Sequence, residues 1–255
     1  MDMDAFLARL QNYVTLPGPT RAAMSSVRHV LRQMPRGKSI INEGEVLKRV
    51  HVIQKGWAIR KRILEDGRRQ ILNFLMPGDI FDLQAMIDSR SDHAIETITL
   101  CEVRSIPTQE FLALVSEHPA LASALWWSTV QEEGILREHI VRVGRRNAIE
   151  RISHLLIELR RRLILSESAD ADESVSLPLS RQLIADAVGL SPVHVSRTIS
   201  SMRRMGLVSA NGHLRVLDWD SLASIAGYDD QYLHLDARPL DMTGCVNVGD
   251  RETTA

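Results

Sequence analysis

The chain has 255 residues, 31 basic and 32 acidic side chains and a formal net charge of −1. That length suits two domains, and that balance gives the whole molecule no attraction to a polyanion. No apolar run approaches the ~20 residues of a membrane span. The acidic start MDMDAFLARL lacks a signal peptide's apolar stretch, and Cys101 and Cys245 have no metal-type spacing, so a reducing cytoplasm is the expected compartment.

Residues 1–34 are expected to be helical, with a break at Leu16-Pro17-Gly18-Pro19. From Pro35 to Pro107 the pattern changes. Gly37, Gly44, Gly56, Gly67 and Gly78 punctuate short runs of strand type: SII, VHVIQ, WAIRKRIL, RQILNFL, AIETITL and CEVRSI. Short strands between regular turns predict a small antiparallel roll or sandwich. Glu65-Asp66-Gly67 is a hairpin turn within it. A short helix should follow from Thr108 to His118, with Thr108 as its cap and Phe111, Leu112 and Val115 as its apolar face.

After Pro119 a long helix is expected. Leu121, Leu125, Val130, Leu136, Ile140 and Val143 form its apolar stripe. A stripe this apolar is too costly to leave wet, so Leu121, Leu125, Leu136, Ile140 and Val143 are candidate dimer contacts. Asn147–Leu165 is a second strong helix, with Ile149, Ile152, Leu155, Leu156 and Leu159 facing inward. Residues 166–176 form an acidic loop of small residues.

The segment LSRQLIADAVGLSPVHVSRTISSMRRMGLV, Leu179 to Val208, carries the strongest signal. Ser180 caps one short helix through Val188. Gly189 suits the left-handed residue that ends it. Ser191 caps the next helix, with Pro192 in its first turn. This is a helix-turn-helix pattern. In the second helix Val195, Ile199 and Met202 point inward. Val193, Ser196, Arg197, Ser200 and Arg204 share the opposite face, and Arg203 adds to its basic end. Arginine can hold guanine O6 and N7 together, and serine approaches a groove without crowding it. Asn211-Gly212, between LVSA and HLRVL, predicts a hairpin beside the helices. Residues 181–215 carry five arginines against Asp186, whereas eight acids stand against two arginines in 216–255. A localised polyanion-binding face fits that asymmetry, as does a solvated basic helix.

These segments together resemble the Crp/Fnr family of bacterial transcription regulators over most of residues 20–220. KSIINEGE, VHVIQKGWAIRKRILEDGRRQILNFLMPGDIFDL and CEVRSIPTQEFLAL resemble the family's cyclic-nucleotide-binding-like roll. The long helix resembles its dimerisation helix, and RNAIERISHLLIELRRR the helix that opens its DNA-binding domain. The resemblance implies an α+β chain: an N-terminal antiparallel β-roll, a long dimerisation helix and a C-terminal winged helix-turn-helix domain. The expected limits are a helical segment 1–34, the roll 35–118, the dimerisation helix 119–146, the DNA-binding domain 147–235 and a disordered tail 236–255.

By resemblance Ser180, Arg181, Gln182 and Ser191 touch phosphate, and Ser196 and Arg197 match the Ser-Arg pair of Fnr-type readers, with Arg197 on a guanine. Many members have a glutamate where this chain has Val193. Valine can meet a thymine methyl but cannot accept a cytosine amino proton, which implies a different half-site. His194 is a candidate contact to backbone or base, or an exposed side chain.

The family's cyclic-nucleotide binders carry Gly-Glu-Leu and then Arg-Ser around the phosphate. Here the stretch is GDIFDLQAMIDSRSDHAIETI, and Asp92 would repel a phosphate. An iron–sulfur cluster needs about four cysteines. His51, His93 and His118 are bare candidates for haem ligation. No cofactor is therefore expected, and the effector stays open: a dimer active as made, or an unidentified small molecule near His93. The expected partners are palindromic double-stranded DNA, a second copy of the chain and, for an activator, RNA polymerase. The competing reading is a ligand-binding roll that acts on a partner protein without touching DNA. No catalytic constellation stands out, so an enzyme is not expected.

Overall fold

A computed structural model describes residues 5–87, 89–166, 177–209 and 214–235. Helices α1 (Ala5–Gln11) and α2 (Gly18–Ser26) open the chain. The expected helix does not run on to residue 34. Val30–Met34 is strand β1, antiparallel to β8 (Cys101–Pro107), with Val30 opposite Ser105 and Met34 opposite Cys101. The run Val-Leu-Arg-Gln-Met has no decisive preference of its own, and the ladder with β8 decides its conformation.

Between them lie β2 (Ser39–Ile41), β3 (Arg49–Lys55), β4 (Ala58–Ile63), β5 (Arg69–Leu75), β6 (Ile80–Phe81) and β7 (Ala94–Thr97). They form two four-stranded antiparallel sheets, in the orders β1-β8-β3-β6 and β2-β7-β4-β5. The Glu65-Asp66-Gly67 turn closes the β4–β5 hairpin, where the Gly67 amide donates to the Leu64 carbonyl. Strand β6 and the 3-10 turn Leu83–Ile87 carry no sequence pattern strong enough to announce them.

Helix α3 (Thr108–Glu117) starts where expected, but Thr108 does not cap it. Pro107, with φ −56°, turns β8 directly into the helix, and the Thr108 hydroxyl is buried without a hydrogen bond. Its buried face is Phe111 and Leu114, while Leu112 is exposed. Helix α4 (Pro119–Arg145) follows. Leu121 and Leu125 are covered by the chain's own roll core, beside Phe111 and Leu114. The expectation that these two meet a second copy is not met, because the same chain already buries them.

Helix α5 (Ala148–Ser166) begins with a reciprocal cap. Asn147 Oδ1 accepts from the amides of Ile149 and Glu150, and Glu150 accepts from the Asn147 amide at 2.8 Å. Ile152, Leu155, Leu156 and Leu159 are buried, in one apolar core with Ile59, Ile71 and Phe74 of the roll. Helices α6 (Arg181–Val188) and α7 (Pro192–Arg204), strands β9 (Val208–Ser209) and β10 (Arg215–Val216) and helix α8 (Trp219–Ala226) complete that half.

Two buried charge clusters join the halves. Arg162 of α5 donates to Asn73 Oδ1 at 3.0 Å, to the Phe74 carbonyl at 2.8 Å and to Asp79 at 3.1 Å; Asp79 also receives Arg9 of α1 at 2.9 Å. Nearby, Arg142 of α4 pairs with Glu158 of α5 and donates to His154 Nδ1 at 3.3 Å. The segment after α8 then crosses onto α4. Tyr232 donates to Glu158 at 3.1 Å, and the Gln131 side-chain amide donates to the Leu233 carbonyl at 2.9 Å. Gly134 of α4 permits this approach, because a Cβ there would lie 2.2 Å from the Tyr232 carbonyl oxygen.

Gly134→Ala should therefore destabilise the protein by about 1–3 kcal/mol, although alanine in a helix ordinarily gains about 1 kcal/mol over glycine. A urea melt reads the sign, and a more stable variant would show that the crossing segment is not held there. The imidazoles give a second test. Burial, then Arg142 and Arg146, lower His154 to about 2; burial and then Arg142 lower His139 to about 4. The folded state holds both rings neutral, while the unfolded chain protonates them near 6.5. Stability is thus full above pH 6.5 and falls as pH drops below it, by roughly 1.4 kcal/mol per pH unit for each ring. Urea midpoints at pH 7.5 and 5.0 should differ in the wild type and differ less in His154→Gln.

Candidate nucleic-acid interface

The helix-turn-helix is built from local capping chemistry. Ser180 has extended backbone and its hydroxyl accepts from the Leu183 amide at 3.1 Å, which starts α6. Gly189 ends that helix with φ 67°, and its amide donates to the Ala185 carbonyl. A side chain would be strained in that left-handed turn. Ser191 then accepts from the His194 amide at 3.2 Å and starts α7, with Pro192 in the first turn.

Packing fixes which face of α7 looks outward. Val195, Thr198, Ile199 and Met202 are buried against the core shared with α5 and α6. Ile184 and Val188 supply the α6 side of that contact. The opposite face of α7 presents Val193, Ser196, Arg197, Ser200 and Arg204, which line one shallow open trough with Pro192. Val193 is 60% exposed on that face.

The predicted site residues fall into groups. Arg181, Arg197, Arg203 and Arg204 are exposed and form no ion pair among the described residues. Arg203 and Arg204 also lie in the last turn of α7, where they favour the negative end of the helix. Gln182 is exposed but occupied: it donates to Asp186 at 2.7 Å, and Asp186 is held by Arg69 of β5 at 2.6 Å. Ser200 spends its proton on the Ser196 carbonyl at 2.9 Å, which leaves its oxygen as an acceptor. His194 is exposed and borders a second trough with Val193 and Arg197.

That second trough adds residues that sequence reasoning did not single out: Asn147, Arg151 and Ser201. The Asn147-to-Glu150 spacing is a capping signal visible in the sequence, but nothing in it shows that this helix start stands beside α7. Arg151 has a structural task, donating to the carbonyls of Arg146 at 2.6 Å and Val188 at 3.1 Å. Strands β9 and β10 pair beside α7, Val208 opposite Val216. The Asn211-Gly212 turn expected between them, the acidic loop and the tail from 236 lie outside the described residues. Helix α8 also went unread; Asp218 caps it, and Arg160 of α5 stacks on Trp219 at 4.5 Å.

The expected dimer residues on the second half of α4 are accessible. Ile140 is 67% exposed, Leu136 and Val143 are half-buried, and Trp126 and Val141 are exposed apolar neighbours on the same helix. In the roll, the three histidines are each engaged by a neighbour: His51 Nδ1 with Ser105 Oγ at 2.9 Å, His93 Nδ1 with Asp92 at 2.7 Å, and His118 Nδ1 with Thr20 Oγ1 at 3.3 Å. Cys101 is fully buried in β8.

Comparison with known proteins agrees with this geometry. Residues 150–225 match the Crp-like helix-turn-helix domain, and residues 31–118 match the cyclic nucleotide-binding domain. The chain is 32% identical to the nitrogen fixation regulation protein FixK of Azorhizobium caulinodans, across 71% of this chain and 72% of that protein. It is 31% identical to the transcriptional activator protein FnrL of Cereibacter sphaeroides, across 78% and 81% respectively. The solved structure of FixK2 from Bradyrhizobium japonicum superposes with a TM-score of 0.70 and 26% identity, covering 80% of this chain and all of that one.

The turn chemistry is open to direct test. Ser191→Ala removes the side-chain acceptor for the His194 amide and should cost about 1 kcal/mol of stability. Ser191→Asp keeps an acceptor and should restore most of it, as read by thermal melting. A loss equal in both variants would mean that the hydroxyl serves something other than the cap.

Proposed function

The chain belongs to the Crp/Fnr family of transcription regulators, and on that premise we propose that it acts as a homodimer that reads a palindromic DNA site through α7 without cyclic AMP. The observation that carries the reading is the outward face of α7. Its arginines are unpaired among the described residues, its serines are small, and its inward face is fully committed to packing. Two such helices related by a two-fold axis would enter successive major grooves about 34 Å apart. The exposed apolar residues Trp126, Ile140 and Val141 support α4 as the seam between protomers.

In this reading Arg197 takes a guanine, Val193 meets a thymine methyl, and Ser196 and His194 contact neighbouring bases or backbone. Ser180, Arg181, Gln182 and Ser191 hold phosphate at the helix starts. Gln182 first exchanges its bond to Asp186 for one to the backbone. Ser200, Arg203 and Arg204 extend the contact along the groove. Independence from cyclic AMP rests on the roll, where Asp82, Asp92 and His93 occupy the stretch that in cyclic-nucleotide binders holds the phosphate. The two cysteines are too few for a four-cysteine cluster. The protein works in the cytoplasm, where its DNA is, and no described helix is long and apolar enough to cross a membrane. RNA polymerase becomes a partner if the protein activates.

Incubating the purified protein, without added ligand, with a randomised duplex library at moderate salt should enrich one palindrome. Absence of enrichment would count against ligand-free reading. Arg197→Ala should then lose roughly 1–3 kcal/mol of discrimination at one base pair of each half-site. Arg181→Ala should weaken all sequences alike and lower the salt slope by about 1 per contact. An unchanged preference in Arg197→Ala would remove α7 as the reading helix.

A further inference from the structure

The roll and the reading pair meet in a cleft of about 620 Å³, walled by the β4–β5 hairpin on one side and by α6 and the start of α7 on the other. Arg69 stands on the roll side, and Gln182, Asp186 and Ser191 stand on the reading side. Gln182 and Ser191 hold phosphate in the proposed reading, so a DNA backbone seated on them passes the mouth of this cleft.

Asp186 is out of place there. It is the one acid between residues 181 and 215, a stretch that carries five arginines. It lies one helical turn from Gln182, and a bare carboxylate at that spacing repels the phosphate that Gln182 receives. Its Oδ1 also accepts from Gln182 Nε2 at 2.7 Å, which turns that donor toward the protein. On both counts Asp186 alone works against the contact.

Arg69 offsets both effects. Its Nε and Nη2 reach Asp186 Oδ2 at 2.7 and 2.6 Å, so two nitrogens of one guanidinium converge on one carboxylate oxygen. The two side chains are only 24% and 11% exposed, where attraction is stronger than on open surface. The pair brings the local charge close to zero. It also leaves Asp186 with its bonds from Arg69 when Gln182 turns outward, so the exchange with DNA strands no buried acceptor. The guanidinium is placed from the roll: its Nη1 lies 3.8 Å from Glu96 of β7, and Glu96 is paired with Lys61 of β4.

The docking itself does not hang on Arg69. Ile71 of β5 and Ile184 of α6 share one apolar core, and Gln70 Nε2 donates to the Ala187 carbonyl at 3.4 Å. Removing the guanidinium takes a charge from the cleft and leaves the two halves packed.

We propose that Arg69, a residue of the roll, is a positioning residue of the DNA interface: it masks Asp186 and releases Gln182 to phosphate without touching DNA itself. This rests on the DNA-reading function proposed for α7. It gives the roll a direct hand in affinity and leaves sequence preference to α7.

The test measures binding of full-length Arg69→Met, Asp186→Asn and the double variant across a salt series, on the palindrome that the wild type selects and on unrelated duplexes. Arg69→Met should bind all sequences roughly three- to tenfold more weakly, the effect of one charge uncovered near phosphate. Asp186→Asn should bind about two- to fivefold more tightly, since the guanidinium then faces the backbone uncompensated. The double variant should recover most of the loss, because both charges are gone, and all these differences should shrink as salt rises. A merely mechanical grip predicts no recovery, as the double variant lacks the bond altogether. A double variant as weak as Arg69→Met, an Arg69→Met protein that binds like the wild type, or an Asp186→Asn protein that binds more weakly would each overturn the proposal and leave the DNA reading intact. Should Arg69→Met fail to fold, Asp186→Asn decides alone. A wild type that selects no palindrome would overturn the reading itself, and the proposal with it.

Discussion

Asp79 accepts from two arginines at once, and much of the architecture depends on that buried carboxylate. Arg162 approaches it from α5 at 3.1 Å and Arg9 from α1 at 2.9 Å, while its other bond, from the Met76 amide at 2.7 Å, fixes the turn between β5 and β6. None of these side chains is appreciably exposed. Removing water from such groups costs several kcal/mol per ion, and the arrangement offsets that cost because each charge has a partner, even though Arg9 Nη1 and Arg162 Nε make no hydrogen bond. Arg162 adds Asn73 and the Phe74 carbonyl to its set. The same group of bonds therefore locates the N-terminal helix, the roll and the helix on which the DNA-reading half is built.

From α5 the constraint passes to α7. The apolar core that contains Leu155 and Leu159 also contains Ile184 of α6 and Ile199 of α7, and on the roll side Ile59 and Ile71. Arg69 of β5 reaches Asp186 of α6, so the hairpin of the roll grips the first helix of the reading pair directly. Within this network the outward residues of α7 are the ones left uncommitted. A rigid support with a free basic face is what a groove-reading helix requires, because misplacement of an arginine by even an ångström loses its bidentate geometry.

Features written in neighbouring residues were legible in the sequence. The Ser180 and Ser191 caps, Gly189, Pro192 and the inward row Val195, Ile199 and Met202 are all local chemistry, and all lie where the pattern put them. The β4–β5 turn is of the same kind. What could not be read depends on distant partners. Val30–Met34 is a strand because β8 lies alongside it, and Leu121 and Leu125 are core residues because the roll covers them. Leu114, not Leu112, faces inward, because packing against the roll core selects that side of the helix. Helix α8 and the segment beyond it have good local signals in Asp218 and Gly227, but the docking of α8 on α5 and of the following segment on α4 has none. The candidate DNA-facing residues on α7 were legible from helical phase. Asn147 and Ser201 were not, because their nearness to α7 is a product of the fold.

Gln131 lies at the middle of α4, almost fully buried, and its amide is satisfied from both directions of the chain. Arg9 and Tyr13 donate to its oxygen at 3.0 and 2.6 Å, and its nitrogen donates to the Leu233 carbonyl at 2.9 Å, 102 residues further on. A ribosome makes that interval in roughly 5–20 s. During that time the oxygen can already be capped by the N-terminal helix, while the nitrogen has only water. The N-terminal part of the chain can thus gather around a polar group that is finished last, by a carbonyl of the C-terminal segment that lies on α4. Order of synthesis is in this way converted into order of assembly, with one glutamine side chain as the meeting point.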